Sequence, residues 1–216
     1  KRTAAPFHRM PNMSDAIGFF VSVWIKFFFL LTPFFALTMF LTLTTGQEAG
    51  LRRLLALRVT VSVIFACFAL YFFGNSIFHI FGITLDSFRI GAGSLLFLSA
   101  ADLVRKPSST AAPSAEEHND IAVVPLAVPI IVGPATTGAL LVMGAETQDT
   151  FLKVVGCGAL LTAVVSVGLM LLVAPSIERV LGRIGLNILS KLTGLVLSAL
   201  AAQIMFTGIR NVLLTH

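Results

Sequence analysis

Long apolar runs divide the chain, and polar or charged residues collect between them. Six runs approach or exceed the roughly 20 residues that a helix needs to cross a bilayer. Their predicted bounds are 17–45, 54–74, 86–104, 121–145, 154–176 and 191–214. The first run is too long for one straight crossing, because about 29 residues at 1.5 Å each give about 43 Å against a hydrocarbon core of about 30 Å. We therefore expect this helix to break, and Pro33 is the obvious place.

The composition agrees with this pattern. The chain of 216 residues is 56% hydrophobic and only 12% charged, with a mean hydropathy of +0.95, which is far from the usage of soluble domains. The net charge of +5 comes from Lys and Arg placed singly or in short groups beside the apolar runs. Such placement is an ordinary signal of membrane topology and does not indicate a nucleic-acid partner. The sequence predicts an all-α protein that crosses the lipid bilayer several times.

A polar segment at 105–120 separates the six runs into two groups of three. Its Ser, Pro and Ala residues, mixed with charges of both signs, cannot bury a core. We therefore expect a disordered tail over 1–12, a first three-helix repeat over 13–104, a solvated linker over 105–120 and a second three-helix repeat over 121–216.

The two halves carry similar residues at a constant offset. Pro33 matches Pro134, and 134 − 33 = 101. The same offset relates five further pairs: Gln47 with Gln148, Glu48 with Asp149, Leu51 with Leu152, Arg52 with Lys153, and Asp86 with Asn187. Three spans per repeat would insert the second half upside down relative to the first. The pattern predicts six transmembrane helices arranged as two inverted three-helix repeats, with Pro-broken helices 1 and 4.

The two proline interruptions form the candidate binding site. A broken membrane helix frees backbone groups that hydrocarbon cannot satisfy, and a matched pair of breaks is typical of a transporter's site. We expect each break to start a half-helix whose positive end favours a carboxylate, while freed carbonyls accept from an ammonium group. The alternative is that the prolines only kink the helices for packing. The predicted substrate-binding residues are Thr32, Pro33, Thr38, Pro129, Gly133, Pro134, Thr136 and Thr137.

Small residues cluster near the starts of the third and sixth runs. They either allow close helix packing or line the same cavity as the breaks. Asp86 and Asn187 are predicted to be the N-caps of these two runs. The small residues concerned are Gly91, Gly93, Thr193 and Gly194.

Charged residues near the spans are candidates for a charge role, because charge is costly in hydrocarbon. Arg89 and Lys191 form a basic pair at an offset of 191 − 89 = 102. The alternatives are that Arg89 pairs with Asp86 one turn earlier and that Lys191 extends to the membrane interface. Extension to the interface is also the predicted behaviour of Lys26 in the first run.

Several motifs make the chain similar to the MarC family of six-span integral membrane proteins, over about Phe27 to Leu213. The resemblance implies a multi-pass protein of a bacterial or archaeal cytoplasmic membrane, related to proteins implicated in transport of neutral amino acids. The stretches that carry it are Phe81-Gly82-Ile83, Phe88-Arg89-Ile90, Val124-Pro125-Leu126-Ala127-Val128-Pro129, Gly133-Pro134, Leu192-Thr193-Gly194-Leu195 and Gly208-Ile209-Arg210.

The first interruption departs from the family pattern. The family often reads Asp-Pro-x-Gly-Asn-x-Pro there, whereas this chain reads Thr32-Pro33-Phe34-Phe35-Ala36-Leu37-Thr38. The residues most readily assigned to binding a polar ligand or a proton are therefore missing from the first half.

Two classes of function remain open. The first is a secondary transporter of a small polar solute, such as a neutral amino acid, that works by alternating access with or without H⁺ or Na⁺ coupling, as a monomer or a homo-oligomer. The second is a non-transporting structural or regulatory membrane protein of the same fold. The four His residues of the chain are dispersed, and Cys67 and Cys157 are not repeat-equivalent. The sequence therefore predicts no metal site, no cofactor and no enzyme activity.

Overall fold

Every element in the described part of the chain is helical. The computed structural model describes residues 13–105, 132–146 and 149–214. The predicted tail, nearly all of the predicted linker, Pro129 and the first part of the predicted fourth span lie outside the described residues. The helices are α1 (Met13–Leu30), α2 (Pro33–Leu43), α3 (Ala49–Phe81), α4 (Leu85–Arg105), α5 (Pro134–Glu146), α6 (Thr150–Leu172) and α7 (Ala174–Leu214).

Five segments of the described chain are long and apolar enough to cross a membrane: Ile17–Leu43, Ala49–Phe73, Leu85–Arg105, Thr150–Leu172 and Ala174–Leu214. They overlap five of the six predicted spans, and the sixth, 121–145, is described only from residue 132 onward. Large apolar side chains lie on their outer surfaces. Phe65 is 78% exposed and Phe206 is 69% exposed. An apolar outer surface of this kind is suited to contact with lipid.

The first apolar run is interrupted at Leu31 and Thr32, between α1 and α2. Pro33 begins α2, at the position where its missing N–H has no helical partner to lose. Thr32 has φ 47° and ψ 57°, a left-handed conformation that a β-branched residue rarely adopts. Thr32 is the N-cap residue of α2, but its hydroxyl makes no capping bond to an amide of that helix. The direction of the helix changes through the backbone of Thr32, whose amide donates to the Phe29 carbonyl at 2.9 Å.

Asp86 and Asn187 are not the N-caps that the sequence predicted. Thr84 precedes α4, and its Oγ1 accepts from the Ser87 amide at 3.2 Å. Asn187 lies inside α7, because this helix begins earlier than expected, at Ala174. Gly182, with φ 65° and ψ 168°, interrupts α7 and separates its first two turns from the long segment that follows.

The helices pack around a large apolar core, and a smaller apolar cluster forms at Phe78, Leu141 and Ala145. α4 lies along α7, since residues of increasing number on α4 contact residues of decreasing number on α7. α3 packs along α6, and α5 contacts both α3 and α4. α1 packs on α6, and α2 packs on α7. This arrangement places the C-terminal ends of α5 and α7 beside the start of α4.

Candidate functional site

The start of α5 contacts the end of α1. The Thr136 hydroxyl, in the first turn of α5, donates to the carbonyl oxygen of Leu30 at 3.3 Å. Leu30 is the last residue of α1, and in an uninterrupted helix its carbonyl would accept from the Phe34 amide. Thr136 is only 6% exposed. A buried carbonyl that the interruption before Pro33 would leave unpaired is therefore satisfied by a side chain from the start of α5. The segment before residue 132 lies outside the described residues, so the second helix break stays a prediction.

The other predicted residues of the first break have local roles. Pro33 is buried at the first position of α2. The Thr38 hydroxyl donates to the Phe34 carbonyl at 2.9 Å, one turn earlier in the same helix. Such a bond satisfies the hydroxyl within its own helix.

The predicted residues of the second break lie on different surfaces. α5 begins at Pro134, and the Thr137 amide donates to the Gly133 carbonyl at 2.8 Å. Thr137 directly follows Thr136 in α5. It lines a separate apolar groove of about 650 Å³ between α4 and α5, whose wall also includes Gly91 and Gly138.

A cavity of about 240 Å³ lies beside the contact between Leu30 and the start of α5, and α1, α4, α5 and α7 line it. It extends from Ala139 to Glu146 on α5 and from Leu200 to Thr207 on α7, and the rise between these end residues is about 10 Å on each helix. Leu30 lines its wall, but none of the predicted substrate-binding residues that the structure describes does so. The lining residues are Lys26, Leu30, Leu96, Ala139, Val142, Met143, Glu146, Leu200, Gln203, Ile204 and Thr207.

This cavity is amphipathic and carries both signs of charge. Lys26 comes from α1, Glu146 from the last turn of α5, and Gln203 and Thr207 from one face of α7. Polar and ionisable residues are rare in membrane helices and usually face the protein interior or a water-filled space. The rest of the wall is apolar. A mostly apolar cavity with a few polar groups is typical of a small-molecule site, in which the polar groups orient the ligand.

Glu146 belongs to a network that joins three helices. Its Oε1 accepts from Arg89 Nε at 3.0 Å and from Arg89 Nη2 at 2.7 Å. Arg89 Nη1 also donates to Asp86 Oδ1, which confirms the predicted ion pair within α4. Asp86 Oδ1 accepts a further bond from Asn211 Nδ2 at 3.0 Å. The network therefore connects the cavity wall on α5 to α4 and to the end of α7.

The predicted glycines divide into two groups. Gly93 lies against α7 at Ala201, and Gly194 lies against α4 at Ala100. Both are buried, which supports the packing interpretation for these two positions. Gly91 differs, because a Cβ added there would meet no atom of another residue within 4 Å. The Thr193 side chain is buried and donates to the Leu189 carbonyl at 3.0 Å.

Arg89 and Lys191 have different surroundings. Arg89 is bonded to Asp86 on its own helix and to Glu146 on α5. Lys191 is half-buried. Ser190, beside it, is fully buried, and its hydroxyl has no hydrogen-bond partner among the described residues. The matching of Arg89 and Lys191 as a basic pair across the two halves stays a prediction.

Sequence reasoning missed Glu146, Gln203 and Thr207. Glu146 directly follows the predicted fourth span, where a carboxylate resembles an ordinary interfacial charge. A signal was present on the last span, because Leu200, Gln203 and Thr207 recur at helical spacing. Polar residues spaced along one face of an apolar helix predict a face turned away from lipid.

Comparisons with known proteins identify relatives that are membrane proteins. The model of the "MarC family integral membrane protein" matches residues 17–213. A UPF0056 membrane protein of Methanocaldococcus jannaschii is 35% identical over 203 residues, covering 92% of this chain and 99% of that protein. The UPF0056 membrane protein YhcE of Escherichia coli is 30% identical over 201 residues, covering 88% of this chain and 93% of that protein. No solved structure matches the chain.

The family match spans nearly all of the described helices and includes all of the cavity-lining residues. With several helices able to cross a bilayer, the protein is a multi-pass protein of the cytoplasmic membrane. The chain belongs to the MarC family of integral membrane proteins.

Proposed function

We propose that this protein is a secondary transporter of a small polar solute, and that the cavity between α1, α4, α5 and α7 binds this solute. The main supporting observation is that a cavity with Lys26 and Glu146 in its wall reaches Leu30, where the start of α5 contacts the end of α1. Charged groups in a membrane protein are costly unless they have a function or a partner. A cavity beside two predicted helix breaks is typical of secondary transporters.

The composition of the cavity wall favours a zwitterion. An ammonium group would pair with Glu146 and a carboxylate with Lys26, while the apolar wall would contact a short side chain. At about 240 Å³ the cavity lies below the roughly 300–1,000 Å³ of drug-sized pockets, which limits the solute to the size of a small metabolite. Neutral amino acids are therefore the first class to test.

Alternating access requires two related halves, and we propose that the chain is an inverted repeat of this kind. The support comes from reciprocal packing. α2 of the first half packs on α7 of the second, and α5 of the second half packs on α4 of the first. Gly93 faces Ala201 and Gly194 faces Ala100, with 194 − 93 and 201 − 100 both equal to 101. Movement of one half against the other would expose the cavity to each side in turn.

Uptake into reconstituted vesicles tests this proposal. Vesicles that contain the protein should accumulate labelled alanine, serine or leucine above protein-free vesicles, and a pH or Na⁺ gradient should change the rate if either ion is coupled. Lys26→Gln and Glu146→Gln should each reduce uptake at least about tenfold. Glu178→Gln is the matched control, because Glu178 pairs with Arg183 at 3.1 Å and does not line the cavity.

Two results would contradict the proposal. One is wild-type uptake in both cavity variants. The other is the absence of uptake together with no shift in unfolding temperature on adding these amino acids, since a ligand that binds only the folded state must stabilise it. The second result would favour a structural or regulatory membrane protein.

A further inference from the structure

The two carboxylate oxygens of Glu146 have different surroundings. Both bonds from Arg89 go to Oε1, and no described residue donates to Oε2. The Glu146 side chain is 42% exposed and lines the cavity, whereas the Arg89 side chain is 11% exposed and lies behind it. Arg89 therefore holds Glu146 through Oε1, while Oε2 is available as an acceptor toward the cavity.

Arg89 would keep a partner if Glu146 turned away. Removing one member of a buried ion pair usually destabilises a protein strongly, because it leaves the other charge buried and uncompensated. Here Asp86 remains bonded to Arg89 Nη1, and Asn211 holds Asp86 in place. The exposed Glu146 is in turn solvated from the cavity side. The Arg89–Glu146 pair can therefore open without isolating a buried charge.

We propose that Glu146 exchanges partners, from Arg89 to the cationic group of a ligand in the cavity. This inference deepens the proposed function, because it assigns the cationic end of the solute to a named carboxylate in the same cavity. Among the described residues, the charged and polar groups that face the cavity besides Glu146 are Lys26 on α1 and Gln203 and Thr207 on α7. Lys26 repels a cation, so the cationic group of a ligand would pair with Glu146.

Charge-selective labelling of a cysteine in the cavity tests this exchange without knowledge of the solute. Thr207→Cys is introduced into the full chain after Cys67→Ala and Cys157→Ser remove the native thiols. The purified protein in detergent reacts separately with 2-aminoethyl and 2-sulfonatoethyl methanethiosulfonate. These reagents are similar in size and opposite in charge. Each rate is divided by the rate of the same reagent with free cysteine, and the selectivity is the ratio of the cationic to the anionic value.

The exchange predicts opposite effects of two substitutions. With Glu146 intact, the cationic reagent should be favoured by about tenfold, and Glu146→Gln should abolish this preference. Arg89→Gln should increase the preference at least about threefold, because it removes the competitor for the carboxylate. If the role of Arg89 were only structural, Arg89→Gln would instead lower the preference, because Glu146 would lose its position. Arg89→Lys keeps the charge but cannot donate two bonds from one plane. Its charge selectivity should therefore lie between those of the wild type and of Arg89→Gln.

Three outcomes overturn the inference. They are a selectivity that Glu146→Gln leaves unchanged, a lower selectivity in both Arg89 variants, and a thiol of the Thr207→Cys variant that reacts with neither reagent. If Arg89→Gln does not fold, the direction of the Arg89→Lys effect decides. Failure of the proposed function is distinguishable, since a chain that transports nothing can still show this selectivity, and a transporter can lack it.

Discussion

Gly93 and Gly194 make the same contact in opposite directions across the α4–α7 pair. A Cβ on Gly93 would lie 3.1 Å from the Ala201 carbonyl oxygen, and a Cβ on Gly194 would lie 2.9 Å from the Ala100 carbonyl oxygen. Only glycine allows the two backbones to approach this closely. These reciprocal backbone contacts support the proposed repeat without depending on the divergent first motif.

Gly194→Ala should destabilise the protein by about 1–3 kcal/mol, because its Cβ meets the Ala100 backbone and the helices must separate. Gly91→Ala is the matched control on α4. Nothing of another residue lies within 4 Å of its added Cβ, so it should be neutral or stabilise by up to about 1 kcal/mol. Thermal or denaturant unfolding in detergent measures both changes. Equal destabilisation by the two substitutions would contradict the packing described for Gly194.

Thr136→Val should destabilise the protein by about 1–3 kcal/mol. Valine has nearly the same shape, but it removes the donor to the Leu30 carbonyl and leaves that buried acceptor unpaired. Thr136→Ser keeps the hydroxyl and should lose only the small contribution of the methyl group. If serine and valine have the same effect on the unfolding temperature, the bond between Thr136 and the Leu30 carbonyl does not contribute to stability.

The helices could be predicted from sequence, whereas the cavity could not. Apolar runs report burial in lipid directly, so the spans followed from length alone, and the break before Pro33 followed from its missing donor. Which side chains face inward depends on how helices far apart in sequence rotate against one another. From the sequence alone, Glu146 resembles an interfacial charge. Only the fold brings Arg89, 57 residues away in the chain, beside it. Thr136 could be predicted as a site residue because it lies just after the proline interruption. Its partner Leu30 could not, because Leu30 takes part through its backbone carbonyl and has no polar side chain.

Arg89→Met should destabilise the protein more than Glu146→Gln does. Removing the buried guanidinium leaves Asp86 and Glu146 without their shared partner, and the expected cost is about 3 kcal/mol or more. Glu146→Gln leaves Arg89 bonded to Asp86 and changes a side chain that is 42% exposed, so the cost should be below about 1 kcal/mol. Unfolding in detergent at low ionic strength measures the difference. A larger effect of Glu146→Gln would mean that Asp86 does not support Arg89 by itself.

Thr32→Gly should stabilise the protein by about 1 kcal/mol. The left-handed backbone at φ 47° is strained for a β-branched residue, and glycine relieves the strain, although it also increases the entropy of the unfolded chain. The substitution removes no cap, because the Thr32 hydroxyl bonds to none of the first amides of α2. Thr38→Gly is the matched control. Thr38 lies inside α2, and its hydroxyl bonds to the Phe34 carbonyl, so glycine there should destabilise by about 1 kcal/mol or more. Unfolding temperatures that fall in both variants would show that Thr32 is not held in the left-handed region, and the break would then have to arise from Pro33 alone.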